Sequence, residues 1–484
     1  MTVLVKGNFQ AVLKYPVKLD IIRRRIWRVP KDMNDKILNF YAGLTDKKVA
    51  VLGVGVSNTP LIRMLVSHGA KVSARDKNLN CPAKAELEAL GVDMKFGADY
   101  LEDIDADLIF KTPGMRFDLP ELVAARHRGA TVTSEMEVFF DLCPCKLIAV
   151  TGSDGKSTTT TLISELLKAG GYTVHVGGNL GKPLLPEIET IKPTDIAVLE
   201  LSSFQLHTMR KSPQVAVVTN LSPNHLDIHR SMEEYVDAKR NIFRYQGEDD
   251  LLVLNLDNEI TRSFIPEAKG KVITFGKAGD YHTDQGHNIY HHGTLLLKRS
   301  EVLLRGDHNI ENYMAAIAAV RDFVSDDAIH TVASTFKGLV HRLELVRTLD
   351  GVNYYNDSIA SSPTRTMACL NSFEKKPIIL AGGYDKKIPF DTLGEALVRQ
   401  AKAVILVGAT ADKIAAAIDA AGGGIPVMRR NNMQEAVMAA RETALPGDDV
   451  VLSPACASFD LYKNFEERGN IFKKIVADLS EKTR

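Results

Sequence analysis

The 484-residue sequence predicts an α/β protein made of three consecutive units, and three observations carry that expectation. Short β-rich apolar runs alternate with helical patterns along almost the whole chain, the rhythm of parallel sheets covered by helices. The runs fall into three series, with breaks near residues 143 and 340. Each run ends in a polar or glycine-rich turn, at the sheet edge where open α/β folds bind ligands.

In the first series, KKVAVLGVG (from Lys47), AKVSARD (from Ala70) and ADLIFKTPG (from Ala106) read as strands, with TPLIRMLVSHG as a helix between the first two. VLGVGVSN is a partial dinucleotide-binding turn. Gly53 and Gly55 are in place, but Asn58 stands where a third glycine is expected. Asp76 follows the next strand, about 20 residues on, the distance at which an acid reaches a ribose. These residues fit a nucleotide-like ligand without specifying NAD, and equally a plain strand–helix turn. Upstream, Met33 opens the helical stretch NDKILNFYAGL. Residues 1–32 carry eight basic residues against Asp20 and Asp32, without the long apolar stretch or small-residue cleavage site of a signal peptide. They read as a peripheral extension, or as residues ahead of a true start at Met33, with a basic docking arm less favoured.

The second series runs through KLIAVTGSDGKST (from Lys146), YTVHVGGN, DIAVLELSSFQ, QVAVVTNLSPNHLD and DLLVLNLDN, followed over 270–306 by short segments that read as a small β excursion. Its strongest motif is AVTGSDGKSTTT, from Ala149 to Thr160. A buried strand enters Gly152-Ser153-Asp154-Gly155-Lys156-Ser157 and leaves as a helix. Glycines let backbone N–H groups curl around phosphate oxygens, and the helix N-terminus adds partial positive charge. Lys156 suits the β- and γ-phosphates, and the Ser157 hydroxyl suits Mg²⁺. The spacing is two residues shorter than the usual phosphate loop. Beyond it, Glu200 ends an apolar run, where a carboxylate is costly without a partner; Mg²⁺, which prefers oxygen ligands, is the natural one. His225 and Asp227 follow another strand. On its own His225 reads more readily as a structural hydrogen-bonder, and Lys239, in SMEEYVDAKRNIF, as a solvated helix cation.

The third series is KKPIILAGGYDKK (from Lys375), AKAVILVGAT and DDVVLSPACASFD. The composition is that of an ordinary globular protein: 45% hydrophobic, 25% charged, 7% aromatic. Sixty basic and sixty acidic residues cancel, so no overall field favours nucleic acid or membrane. No apolar run approaches the roughly 18–20 residues that cross a bilayer. The five scattered cysteines, Cys143-Pro-Cys145 among them, argue for reduced thiols and a cytoplasmic protein rather than a disulfide framework or a zinc site.

TGSDGKST, ELSSFQL, NHLDIH with Lys239, GDHNIEN, HRLE, NDSIASSP and SPACASFDLYKNFEERG, in that order, resemble the Mur ligases over about residues 33–484. The resemblance implies an N-terminal Rossmann-like domain (33–142) for a UDP-sugar, a central P-loop ATPase domain (143–339) and a C-terminal Rossmann-like domain (340–484) for an amino acid. The activity it implies is ATP-driven addition of D-glutamate to UDP-N-acetylmuramoyl-L-alanine through an acyl-phosphate, in a monomer with two Mg²⁺ ions. ATP would meet residues 152–157, Thr158, Asn309, Asn312, Arg342 and Asp357. The UDP precursor would meet Val56, Ser57, Asp76, Lys77, Thr112, Gly114, Asn179, Ser202 and His225, and D-glutamate Ser361, Lys386, Ser458 and Phe465. Ser157, Glu200, His225 and Lys239, the last as a carbamate, would hold metal. Lys156, Glu200, His225 and Lys239 would thus form the catalytic set.

One departure stands out. Many relatives carry Lys-Ala-Thr where this chain has Ile359-Ala360-Ser361, so the hydroxyl survives but a cation is missing. A P-loop kinase, a ligase for another amino acid or for folate, a dehydrogenase and a non-catalytic UDP-sugar-binding protein are the rival readings.

Overall fold

The computed structural model describes residues 33–55, 58–223, 229–304, 306–385 and 388–481, and it bears out the α/β class. The first sheet holds β1 (Lys48–Leu52), β2 (Lys71–Asp76), β3 (Asp93–Phe96), β4 (Leu108–Lys111) and β5 (Thr131–Thr133) in the order β3-β2-β1-β4-β5. All its pairings are parallel. The order reverses between β1 and β4, which opens a crevice at their carboxyl ends.

The central sheet comprises β6 (Lys146–Thr151), β7 (Val174–Gly178), β8 (Ile196–Glu200), β9 (Val215–Val218), β10 (Leu251–Asn255), β11 (Lys271–Phe275), β12 (Tyr281–Thr283), β13 (Ile289–His291) and β14 (Thr294–Leu297). Their order is β14-β13-β12-β11-β10-β9-β6-β8-β7. The β excursion expected over 270–306 is therefore the edge of this same sheet, turning antiparallel from β12 to β14. β8 and β9 are buried throughout and β6 is buried past Lys146, which is why each reads as a continuous apolar run. The helix Lys156–Ala169 packs Leu162, Leu166 and Leu167 against the alanine-rich face of the helix Asp307–Val320.

The third sheet is ordered β15-β16-β20-β17-β18-β19, from β15 (Glu344–Leu349), β16 (Val352–Asn356), β17 (Ile378–Ala381), β18 (Ala403–Val407), β19 (Val427–Arg430) and β20 (Asp449–Leu452). Only β15 runs antiparallel to its neighbour.

One core cluster runs from Val51, Phe110 and Phe139 under the first sheet to Leu184, Leu201 and Leu206 under the second. The chain between these sheets is thus no exposed linker. Cys143 and Cys145 are buried there with their Sγ atoms 3.5 Å apart, as free thiols.

Candidate active site at the carboxyl edge of the central sheet

β6 delivers the chain into the glycine turn at the middle of the sheet. Gly155 has φ +78°, and a Cβ there would collide with Asn312 Oδ1. Side-chain-free backbone is therefore required both by the turn and by the neighbouring helix. The turn is tied to the segment after β9. Ser153 N–H donates to the Asn220 carbonyl (2.8 Å), Asp154 N–H to Asn220 Oδ1 (3.0 Å), and Thr219 Oγ1 to the Asp154 carbonyl (2.6 Å). Lys156 Nζ donates to the carbonyls of Gly152 and Ser153, both at 2.9 Å. Asn312 links the turn's helix to Asn309: its Oδ1 accepts from Thr159 Oγ1 (3.2 Å) and its Nδ2 donates to Asn309 Oδ1 (3.0 Å). Thr158 is buried in the same first turn, and Ser157 is half-buried beside it.

Val150 of β6 is in register with Glu200 of β8, so the carboxylate stands at the mouth of the phosphate turn. Glu200 is 2% exposed. Its Oε1 accepts from Asn179 Nδ2 (2.8 Å), while its Oε2 is buried with no hydrogen-bond partner. A buried carboxylate oxygen without a donor is expensive, and a cation beside it removes the cost. This orphaned oxygen, with the Ser157 hydroxyl on the adjacent helix, fits a hard divalent ion. Among the described residues no three His, Cys, Asp or Glu side chains cluster as a metal cage; the expected His225 lies outside them.

Lys239 is not the solvated cation of the plain reading. It is 2% exposed, and its Nζ donates to Thr151 Oγ1 (3.0 Å) and the Gly152 carbonyl (2.9 Å). Burial, with the like charge of Lys156, pushes its ammonium well below the usual lysine range, against the pull of Glu200. Its helix, Met232–Arg244, makes a second tie to the turn through Tyr235, whose hydroxyl shares a 2.9 Å hydrogen bond with Ser153 Oγ. Ser202 caps the short helix Ser203–Leu206 just after Glu200.

At the first sheet's crevice, Asp76 Oδ2 accepts from Val54 N–H (2.6 Å) and Oδ1 from Asn78 N–H (2.8 Å). Thr112 faces Gly53, and Lys77 and Gly114 are exposed nearby in sequence. Asn58, the residue in the third-glycine position, is a buried peg whose Nδ2 donates to the Gly53 carbonyl (2.7 Å). Val56, Ser57 and Lys386 lie outside the described residues.

The third sheet contributes two loops. Asp357, just past β16, is buried; Oδ2 accepts from Ser453 Oγ (3.0 Å) and Oδ1 from Leu343 N–H (3.2 Å). Burial pushes its carboxyl up to about 6. Arg342 feels the negative charges of Glu200 and Asp154 of the central unit, which oppose the effect of its burial. Ser361 Oγ donates to the Ile359 carbonyl (3.2 Å), Ser458 is buried, and Phe465 opens the helix Phe465–Ala477.

Sequence reasoning passed over three groups here. His308 has its imidazole held below the usual range by burial, and it feels the charges of Asp307, Arg342 and Asp154. Arg365 acts on both Lys156 and Arg342. Arg468, 2% exposed, donates to the Ser358 carbonyl (2.8 Å) and to the carbonyls of Cys456 (3.0 Å) and Ala457 (3.2 Å). Arg468 lies in the motif NFEERG, which alone could have flagged it.

Comparison with known proteins places this geometry. Family profiles match as follows: Mur ligase MurD-like N-terminal domain at residues 47–134, Mur ligase middle domain at 150–320, and Mur ligase glutamate ligase domain at 341–456. The UDP-N-acetylmuramoylalanine–D-glutamate ligase of Acetivibrio thermocellus is 54% identical over 462 residues, covering 92% of this chain and 99% of that protein. The enzyme of the same name from Clostridium kluyveri is 52% identical over 447 residues, covering 90% and 97%. Among solved structures, the UDP-N-acetylmuramate–alanine ligase of Thermotoga maritima shares the fold with a TM-score of 0.58 at 20% identity, covering 89% of this chain and 99% of that one. With close sequence likeness running nearly end to end through such relatives, the chain belongs to the Mur ligase family, in its UDP-N-acetylmuramoylalanine–D-glutamate ligase group.

Proposed function

We propose that the chain joins D-glutamate to UDP-N-acetylmuramoyl-L-alanine at the cost of ATP, giving the amide, ADP and phosphate. The observation that carries the reading is the meeting of four groups at one edge: the phosphate turn, the orphaned oxygen of Glu200, the buried Lys239, and Arg342 arriving from the third sheet. The names of the close relatives supply the substrates.

A carboxylate resists attack by an amine, so it must first be phosphorylated. The precursor's terminal carboxylate attacks the γ-phosphorus in line, and the bond to ADP breaks. Lys156 exchanges its two carbonyl partners for phosphate oxygens and neutralises charge on the transferring group. Backbone N–H groups of residues 152–157 and the helix behind them hold the remaining oxygens, and Thr158, Asn309 and Asn312 set that helix. The D-glutamate ammonium first loses a proton, its free amine attacks the acyl carbon, and the tetrahedral intermediate loses a second N–H proton as it expels phosphate.

Mg²⁺ held by Ser157 and Glu200, with a second ion at His225 and Lys239, would supply charge neutralisation between the phosphates. A lysine amine kept neutral by burial can add CO₂, forming an N–C bond and releasing a proton, which gives the anionic oxygens a hard cation needs. His225 serves as ligand or positioning group in preference to base. The UDP precursor occupies the first crevice, at Val56, Ser57, Asp76, Lys77, Thr112 and Gly114, reaching Asn179 and Ser202. D-Glutamate lies at Ser361, Lys386, Ser458 and Phe465. Arg342 and Asp357 close on ATP from the third unit and keep water from the acyl-phosphate. The working units are 33–142, 143–339 and 340–484, in a cytoplasmic monomer; light scattering tests the last point.

ADP release is the test. It is expected to require the precursor and D-glutamate together, and to fail with L-glutamate, L-lysine or no amine. In Lys156→Ala it should fall at least about 100-fold, the scale of losing one transition-state charge donor. Full ADP release without any amine would instead mark a kinase.

A further inference from the structure

Ile359 leaves the amino-acid loop without the cation expected there, yet the structure sets another cation beside it. Arg365, in the first turn of the helix Pro363–Leu370, donates from Nη1 to the Ile359 carbonyl at 3.1 Å. Its guanidinium therefore stands over position 359 while the side chain stays exposed. The loop is fixed against the entry to β15: Ile359 N–H donates to the His341 carbonyl (3.2 Å), and Leu343 N–H to Asp357 Oδ1 (3.2 Å). Arg342 belongs to that same entry. Among the described residues, neither Arg342 nor Arg365 forms a salt bridge, and Asp357 gives its oxygens to Ser453 and Leu343 instead. Lys156, across the cleft, bonds only neutral carbonyls.

Arg342 and Arg365 both repel Lys156, while Glu200 and Asp154 attract it. Mutual repulsion of this kind is tolerated where a polyanion is to be held. Arg365 also repels Arg342, on the strand entry that holds the Ile359 loop.

We propose that Arg365 is a catalytic residue for this chain: its guanidinium contacts the phosphoryl group in transfer between ATP and the acyl carboxylate, from position 365 in place of position 359. The proposal rests on the ligase reading above. A planar guanidinium suits an equatorial pair of phosphoryl oxygens, and its remaining N–H groups stay free while Nη1 holds the loop carbonyl.

The decisive variant is Arg365→Gln, which keeps a polar side chain at the position but carries no charge. At saturating substrates its kcat for ADP release is expected to drop about 10- to 100-fold, with KM for the UDP precursor and for D-glutamate within about twofold of the wild type. Adding Ile359→Lys to Arg365→Gln should restore at least about tenfold of that loss, because the new ammonium starts from the residue that Arg365 now overlies. Unchanged melting temperatures separate either result from misfolding. A kcat within twofold of wild type overturns the proposal, as does a rise confined to KM for D-glutamate, which would assign the guanidinium to an amino-acid carboxylate. In both cases the wild-type enzyme still shows amine-dependent ADP release; if it does not, the ligase reading itself has failed.

Discussion

Glu200 shows what one residue can disclose. A buried carboxylate with one oxygen unpartnered lowers the stability of the protein that carries it, so its retention points to chemistry rather than packing. Glu200→Gln should therefore lose about 100-fold or more in ADP release while its melting temperature is no lower than that of the wild type; a marked drop in melting temperature would make the carboxylate a structural group. Gly155→Ala tests the turn. Its backbone sits at φ +78° and a methyl would collide with Asn312, so the KM for ATP should rise about tenfold or more with that for the UDP precursor unchanged. Lys239 should show a ¹³C carbamate resonance after exposure to labelled CO₂, absent in Lys239→Gln. Lys156, Ser157 and Glu200 were legible in the sequence because the strand, glycines and helix around them are local. Lys239 entered only through the resemblance, since nothing in SMEEYVDAKRNIF by itself shows that its amine meets Thr151 and Gly152. Arg365 was equally hidden: only the fold brings its charge within range of Lys156, more than 200 positions away in sequence.

Among the elements, strands buried on both faces announced themselves. β6, β8, β18 and β20 read directly from their apolar runs. β15, β16 and β19 did not: ELVRTL and VMRR are edge strands that need only one covered face, while VNYYN is interior and mostly buried but carries Asn353 and Asn356, which pair with Asp449 and Glu344. The omission matters, for β16 leads into Asp357 and the loop of Ser361. Two loops of this unit, after β16 and after β20, are joined by Arg468 alone of the described arginines, through carbonyls of Ser358, Cys456 and Ala457. Burial pulls that guanidinium down to about 10, so it is held by its acceptors rather than by a counter-ion. Arg468→Lys keeps the charge but offers a single nitrogen to three carbonyls. It is expected to destabilise the protein by about 1–3 kcal/mol and to raise the KM for D-glutamate about tenfold, leaving that for ATP within twofold. A purely structural role would lower the melting temperature without that split.

Over the whole molecule, the first and central units share a core and a charged clasp. Arg116 pairs with Asp118 (2.9 Å) on one side and with Glu234 (2.9 Å) on the other, and Arg230 with Asp118 (2.6 Å). The Arg116 guanidinium holds the Glu234 carboxyl down at about 2, from 4.5. A carboxylate depressed on folding stabilises the native state above its unfolded value and loses that contribution as pH falls through its folded value. The clasp should therefore weaken between about pH 4.5 and pH 2, and melting curves of Glu234→Gln should be flatter over that window than those of the wild type. Glu234 begins the same helix whose Tyr235 meets Ser153 and whose Lys239 meets Thr151 and Gly152. A single rod of thirteen residues thus spans from the clasp to the phosphate turn. Opening at one end cannot spare the other, so amide protons on both should exchange with solvent as one cooperative unit, and occupancy of the first crevice should slow exchange around residues 151–153.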